Sequence, residues 1–350
     1  MQVTHDNHFV PQSYLRRWSK DGHRIWCYRI LVPHENVCQW ELRSVREVAC
    51  RRDLYTSLVG GQESDEFEQW IGSEFETPAH DVIEKAVHGD TLTSSDWERL
   101  IRYLAAQDLR TPQNFIEFVA HWKDVLPEIM QNTLREAVRT LEEGERIGQK
   151  PKVASVSARQ PFANVIKVKI NPHARPETEE GEIGLAVTVG RRLWLESQRH
   201  LLENTAKVLL SHSWSIAEVA NNREWFTSDH PVVRLNYYCE GSYDFKGGWG
   251  ERGGNLFMPI SRKHLLFTEI GEKLPNRIAL SAKQTSEFRR YIAERADRVI
   301  FAYSQLDDVR RLRPRHVNLE VYRGERETWR NWHCSQSRAE QDLDGRGAPH

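Results

Sequence analysis

An α+β fold is what this 350-residue sequence predicts, and three observations carry it. Near the N-terminus two short runs alternate apolar and polar residues, the period of strands. The middle of the chain has the 3.6-residue apolar period of helices. From Trp214 onward the pattern returns to short strands with a single helix among them, so helices and strands are segregated rather than alternating.

Taken in order, Pro11 suits the start of a short helix over residues 11–18, with Tyr14, Leu15 and Trp18 on one stripe. Arg24 to Ile30 and Val37 to Leu42 flank Pro33-His34-Glu35-Asn36 and form a hairpin. Asp65 to Val87 and Ser95 to Gly144 are helical, the second broken at Thr111-Pro112, where Thr111 can cap a new helix. Residues 142–160 lack periodicity and form an exposed connector. Asn164 to Ile170 is a strand, Pro172 to Gly181 a loop, and Arg191 to Leu210 a helix. Trp214 to Val219 and Glu224 to Thr227 are strands flanking an Asn221-Asn222 turn. Val232 to Leu235, Asn255 to Met258, His264 to Phe267 and Val299 to Tyr303 follow, with a helix over Ser281 to Arg295. The expected organisation is one domain over 5–310, a basic extension over 311–333 and a disordered tail over 334–350.

With 39% hydrophobic residues and 12 Trp there is enough apolar material for a packed core. A net charge of −1 argues against a surface that is basic throughout, as a general nucleic-acid footprint would be. No apolar run approaches membrane-spanning length, and Met1 to Val10 has no apolar signal core. The 5 cysteines are odd in number and include no Cys-x-x-Cys pair. Reduced thiols in a cytoplasmic protein without membrane attachment are therefore expected. No Gly-rich phosphate loop is present.

Polar residues on apolar helix faces are the most informative signal, because burying one unpaired is costly. On the helix from Asp65, about 100° per residue places Glu74 within the face of Phe67, Trp70, Ile71 and Phe75. On the helix from Asp96, Tyr103, Gln107 and Arg110 line one edge of the face. Two readings stand. One is an internal ion pair of Glu74 with Arg110, tied by Gln107 and Tyr103. The other is a pocket in which Glu74 is a base or metal ligand and Arg110 clamps a phosphate or carboxylate. Asp229, in Thr227-Ser228-Asp229-His230-Pro231, sits at a strand end, either as a displayed functional group or as an Asx-turn. His5 and His8 could share a metal, or could simply pack and hydrogen-bond. The run Arg310 to His316 is the one basic stretch dense enough to meet phosphates.

The run Asn7-His8-Phe9-Val10-Pro11-Gln12-Ser13-Tyr14-Leu15-Arg16-Arg17-Trp18 resembles the opening of a widespread bacterial family catalogued as domain of unknown function 4238. Asn7 stands where members typically carry a His, and Trp18 where they carry Phe. Ser44 to Tyr55, Leu104 to Pro112, Trp225 to Val232 and Phe257 to Ser261 resemble further family segments in the same order, with His230 in place of Asn. The resemblance covers residues 5–310. It implies one domain in which His8, Gln107, Arg110 and Asp229 are motif positions, and it brings no activity with it.

The leading functional expectation is an enzyme acting on a phosphate-containing substrate, a metal-dependent nuclease or nucleotide hydrolase. His8, Glu74 and Asp229 would be its ligands or acid–base groups, with a divalent metal as the expected cofactor. Arg110, Gln107 and Tyr103 would bind substrate. The alternative is a non-catalytic module for a nucleotide, a nucleic acid or a protein. A third is a defence-associated component that acts only with a partner.

Overall fold

The computed structural model describes residues 3–146, 166–175 and 180–343. Helices and mixed, mainly antiparallel sheets make up an α+β fold. The chain divides into two compact units.

The first unit is drawn from Met1–Thr56, Ser64–Asn114 and Leu201–His333. Its larger sheet has six strands in the order Ser242–Asp244, Val233–Cys239, Gly254–Pro259, His264–Glu269, Ser215–Glu218 and Arg277–Ala279. All neighbours are antiparallel except the last pair. A four-stranded sheet follows the order Thr227–Ser228, Val299–Ala302, Arg24–Arg29 and Trp40–Ser44. The last two strands form the expected N-terminal hairpin, with Arg24 opposite Ser44 and Tyr28 opposite Trp40. Phe226, Phe257, Leu265, Ile292 and Ile300 belong to one buried cluster, which joins both sheets to the helix Ala282–Arg295. Ser281 and Gln284 form a capping box at the start of that helix.

Local chemistry explains most boundaries. Leu15 N–H bonds the carbonyl of Pro11 at 3.0 Å, which starts the short helix Gln12–Leu15. The Thr111 hydroxyl accepts from Asn114 N–H at 3.2 Å, so Thr111 caps the helix Pro112–Arg146, as its position before Pro112 suggested. Asn221 adopts a left-handed φ of 56° in the expected turn. That turn does not close a hairpin, however. Ser215–Glu218 belongs to the six-stranded sheet and Thr227–Ser228 to the four-stranded one, so the chain changes sheets there.

The second unit is drawn from Ser57–Glu63, Phe115–His200 and Cys334–His350. It contains the antiparallel pair Ile166–Arg175 and Glu180–Val187, so strand extends over part of the expected loop at 172–181. Residues 147–165 and 176–179, which cover most of the expected connector and the start of the expected strand, lie outside the described residues. Much of the segment expected to be a basic extension and a disordered tail instead forms the helix Leu319–Leu343, and residues 344–350 of the expected tail lie outside the described residues. Glu340 accounts for its last turns: this carboxylate is buried against Arg191, with Nη2 at 2.7 Å and Nε at 2.9 Å, and accepts from Leu58 N–H at 2.9 Å. Upstream in the same helix Trp332 is buried and donates Nε1–H to the carbonyl of Asp53 at 3.1 Å, but after Cys334 a charge rather than an apolar stripe is the anchor, which the shortage of large apolar residues there does not reveal. Among the described residues no helix is long and apolar enough to cross a membrane.

Candidate functional site

Arg110 ends the helix Ser94–Leu109 and is only 1% exposed. Its guanidinium donates to the Glu76 carboxylate and to the backbone carbonyl of His8, and Glu68 lies 3.5 Å away. Tyr55 closes the group: its hydroxyl donates to the Arg110 carbonyl and receives the Arg110 Nε–H at 3.5 Å. Burial opposes the charge on Arg110, and Glu76, Tyr55 and Glu68 together hold it protonated well above the ordinary range. Burial pushes the Glu68 carboxyl up to about 7 against the pull of Arg110, with Glu76 adding repulsion.

The expected partner, Glu74, is not in this cluster. Its side chain is 53% exposed and 3.9 Å from Arg102. The reason is local: residues Gly72–Glu76 form a π-helical turn between the helices Glu66–Ile71 and Thr77–His88. In a wider turn with i→i+5 bonding each residue advances by roughly 80° rather than about 100°. Glu74 is thereby rotated off the apolar face and Glu76 is brought round to it.

His8 reaches Arg110 through its backbone only. Its ring donates from Nε2 to the carbonyl of Arg46 at 3.1 Å, and burial lowers its pKa. His5 turns to Asp53, with Nδ1 at 2.6 Å, so the two histidines take separate partners. Tyr103 is buried with its ring 6.4 Å from that of Tyr14. Gln107 is fully buried, and neither end of its amide has a hydrogen-bond partner among the described residues. Of the expected constellation, then, the His8 backbone is bonded to Arg110, while Tyr103 and Gln107 are buried on the helix that Arg110 ends.

Asp229 is buried in a different role. Its Oδ1 accepts from Asp297 N–H at 3.0 Å, and its Oδ2 from Arg298 N–H at 2.7 Å and Val299 N–H at 3.0 Å. The carboxylate thus holds the start of the strand Val299–Ala302, while Ser228 makes the local turn by accepting from His230 N–H at 3.1 Å. Burial and the neighbouring Asp297 push the Asp229 carboxyl up to about 7, against these backbone donors. His230 accepts at Nε2 from Arg295 at 3.0 Å. Among the described residues no three His, Cys, Asp or Glu side chains are grouped to hold a metal ion.

The motif segments do meet each other. Tyr14 donates its hydroxyl to the carbonyl of Pro259 at 2.6 Å and lies 2.8 Å from the Thr227 hydroxyl. Trp18 donates Nε1–H to the carbonyl of Trp225 at 2.8 Å. The N-terminal motif is therefore fastened to the Trp225–Asp229 segment and to the strand Gly254–Pro259.

Next to these fastenings, where the motif segments surface, lies an open groove of about 510 Å³ that includes Lys20, Arg223, Arg289, Tyr303 and Asp308. Lys20 follows Trp18 by two residues, Arg223 precedes Trp225 by two, and Tyr303 follows the strand Val299–Ala302. Arg289 is buried, bonds both oxygens of Asp308 at 2.9 and 2.8 Å, and donates to the carbonyl of Glu224. Arg262 stacks 3.7 Å above the Tyr303 ring and is 3.6 Å from Glu224, and the Lys20 ammonium is 5.2 Å from the same ring. Lys20 and Arg223 are exposed, and among the described residues no carboxylate pairs with either. Sequence reasoning passed over this groove, since each segment contributes only one or two basic residues. The run Arg310 to His316 partly folds back: Arg313 donates to the carbonyl of Ala296 at 3.0 Å and Arg315 to that of Val37 at 2.8 Å.

Comparison with curated proteins and with solved structures finds no match. The family model for DUF4238, a protein of unknown function, matches residues 6–305, a span that contains the fastened motif segments and most of the groove. The chain belongs to the DUF4238 family.

Proposed function

We propose that this protein binds a phosphate-bearing ligand of about nucleotide size in the groove between Lys20, Arg223 and Tyr303. One observation carries the reading: two exposed cations without carboxylate partners face the same groove as Arg289, fixed in place by Asp308, and as Tyr303, on whose ring Arg262 is stacked. Fixed guanidiniums lose little freedom on meeting an anion, and unpaired cations supply the attraction. A volume of about 510 Å³ falls in the range of small-ligand sites. Hydrolysis by His8, Glu74 and Asp229 draws no support from their placement, since their side chains face three different partners.

Calorimetric titration with pyrophosphate, a mononucleotide and a short single-stranded oligonucleotide tests the reading. At least one should bind, and Lys20→Ala or Arg223→Ala should each weaken it about tenfold, the loss of one good charged contact. Both side chains are exposed, so the variants should keep the parent circular dichroism. Binding by none of these probes, or undiminished binding by the double variant, would rule the groove out.

A further inference from the structure

A second cleft, separate from the cationic groove and independent of the proposal above, has a different chemistry. It measures about 380 Å³ and lies where the first turns of the helix Ser94–Leu109 meet the approach to the strand Ser215–Glu218. Its apolar lining is Trp97, Ile101, Leu210 and Trp214. Its polar lining includes Ser94, Glu98, His212 and Asn276. No lysine or arginine lines it, and Glu98 is its one acid.

The walls are set before any ligand arrives. Trp214 donates Nε1–H to the carbonyl of Leu209 at 2.8 Å, which fixes its indole. The carbonyl of Asn276 accepts from Ile216 N–H at 2.9 Å, which ties that residue to the sheet. Thr93 and Asp96 form a capping box that fixes the start of the helix bearing Ser94, Trp97 and Glu98. His212 donates Nε2–H to the carbonyl of Trp249 at 2.7 Å, leaving Nδ1 as an acceptor. Among the described residues the side chains of Ser94, Glu98 and Asn276 have no partner. No ring contact joins Trp97 to Trp214.

We infer that this cleft binds a pyranose sugar, as a free saccharide or as a unit of a glycan. An anion finds no cation there. A quaternary ammonium would use the indoles and Glu98 but has no use for the donors of Ser94 and Asn276. A pyranose uses everything the cleft offers: an apolar ring face against indole, and hydroxyls that both donate and accept along the edge. Leaving the sugar hydroxyls unpaired would cost binding, and the mixed donors and acceptors of the rim prevent that.

Saturation-transfer NMR on the full chain tests this with methyl glucoside, methyl galactoside, methyl mannoside and N-acetylglucosamine, and with choline as the competing class. At least one pyranose should show ring-proton transfer. Trp97→Ala and Asn276→Ala should each weaken its binding about tenfold, as expected for loss of a stacking or hydrogen-bonding contact. Lys20→Ala, in the other groove, should leave it unchanged, so this result and the phosphate titration can fail separately. Asn276 is exposed, and its variant decides the matter if Trp97→Ala does not fold. Transfer to no pyranose, transfer undiminished in Asn276→Ala, or displacement of the sugar by choline would each overturn the inference.

Discussion

Arg110 illustrates how one side chain can hold a structure together while looking like a catalytic group. Glu76, the His8 carbonyl and Tyr55 each take a bond from a different nitrogen of its guanidinium, and Glu68 stands close behind. Removing it leaves the partly buried carboxylates of Glu76 and Glu68 without their cation. Arg110→Ala should therefore lower stability by about 3–5 kcal/mol, the usual cost of breaking a buried pair, whereas Glu74→Gln should change it by less than about 0.5 kcal/mol. Urea unfolding of the two variants beside the parent measures both. Glu68 adds a pH dependence. Its carboxyl titrates near 7 in the folded chain against an ordinary 4.5, so the folded state holds the proton more tightly. That contribution is fully present below pH 4.5 and is lost as pH rises through about 7. Glu68→Gln should flatten this part of the stability curve, and an unchanged slope in that variant would assign the titration elsewhere. At this scale the sequence revealed the burial of Tyr103, Gln107 and Arg110, because they sit on a regular helix. It misassigned the carboxylate, because nothing in Gly72–Glu76 announces a π turn, and five residues are enough to move Glu76 into the place of Glu74.

Among elements, the decisive contacts run between segments far apart in sequence. Tyr14 meets Thr227 and Pro259, and Trp18 meets Trp225, across more than two hundred residues. Local patterning located each of these segments and its strand or helix character, and the family resemblance gave their order. Neither could show that Tyr14 is the bolt between them. Tyr14→Phe leaves a buried carbonyl and a buried hydroxyl short of a partner, at a cost of about 1–3 kcal/mol. Lys20 and Arg223 each lie two residues along the chain from the Trp18–Trp225 bond that accompanies this fastening. The same variant, still folded, should therefore bind a phosphate-bearing ligand more weakly than the parent although it touches no groove residue. Thermal unfolding and a pyrophosphate titration of Tyr14→Phe measure the two effects. Asp229 shows the complementary limit. Its placement at a strand end was legible, but its work there, receiving three backbone N–H groups from 297–299, depends on a strand some seventy residues away.

For the molecule as a whole, a net charge of −1 conceals an uneven surface. Overall charge gives no long-range attraction for an anion, so any steering must come from the few cations of the groove. Such attraction acts over a distance set by salt: the screening length is about 30 Å at 0.01 M and about 8 Å at 0.15 M. At low salt Lys20, Arg223, Arg262 and Arg289 act on an approaching phosphate as one positive field, softened by Glu224 and Asp308. At physiological salt only direct contact remains. Affinity for pyrophosphate should therefore fall between these two ionic strengths, and the fall should be smaller in the Lys20→Ala/Arg223→Ala double variant, which keeps only the paired arginines. Calorimetry at both salt concentrations distinguishes this from binding elsewhere on the surface: a salt dependence identical in parent and double variant would place the anion outside the groove. Pyranose binding in the Trp97–Trp214 cleft, which depends on no net charge, should be insensitive to the same change in salt. One ligand class thus responds to salt and the other does not, which separates the two sites without any further substitution.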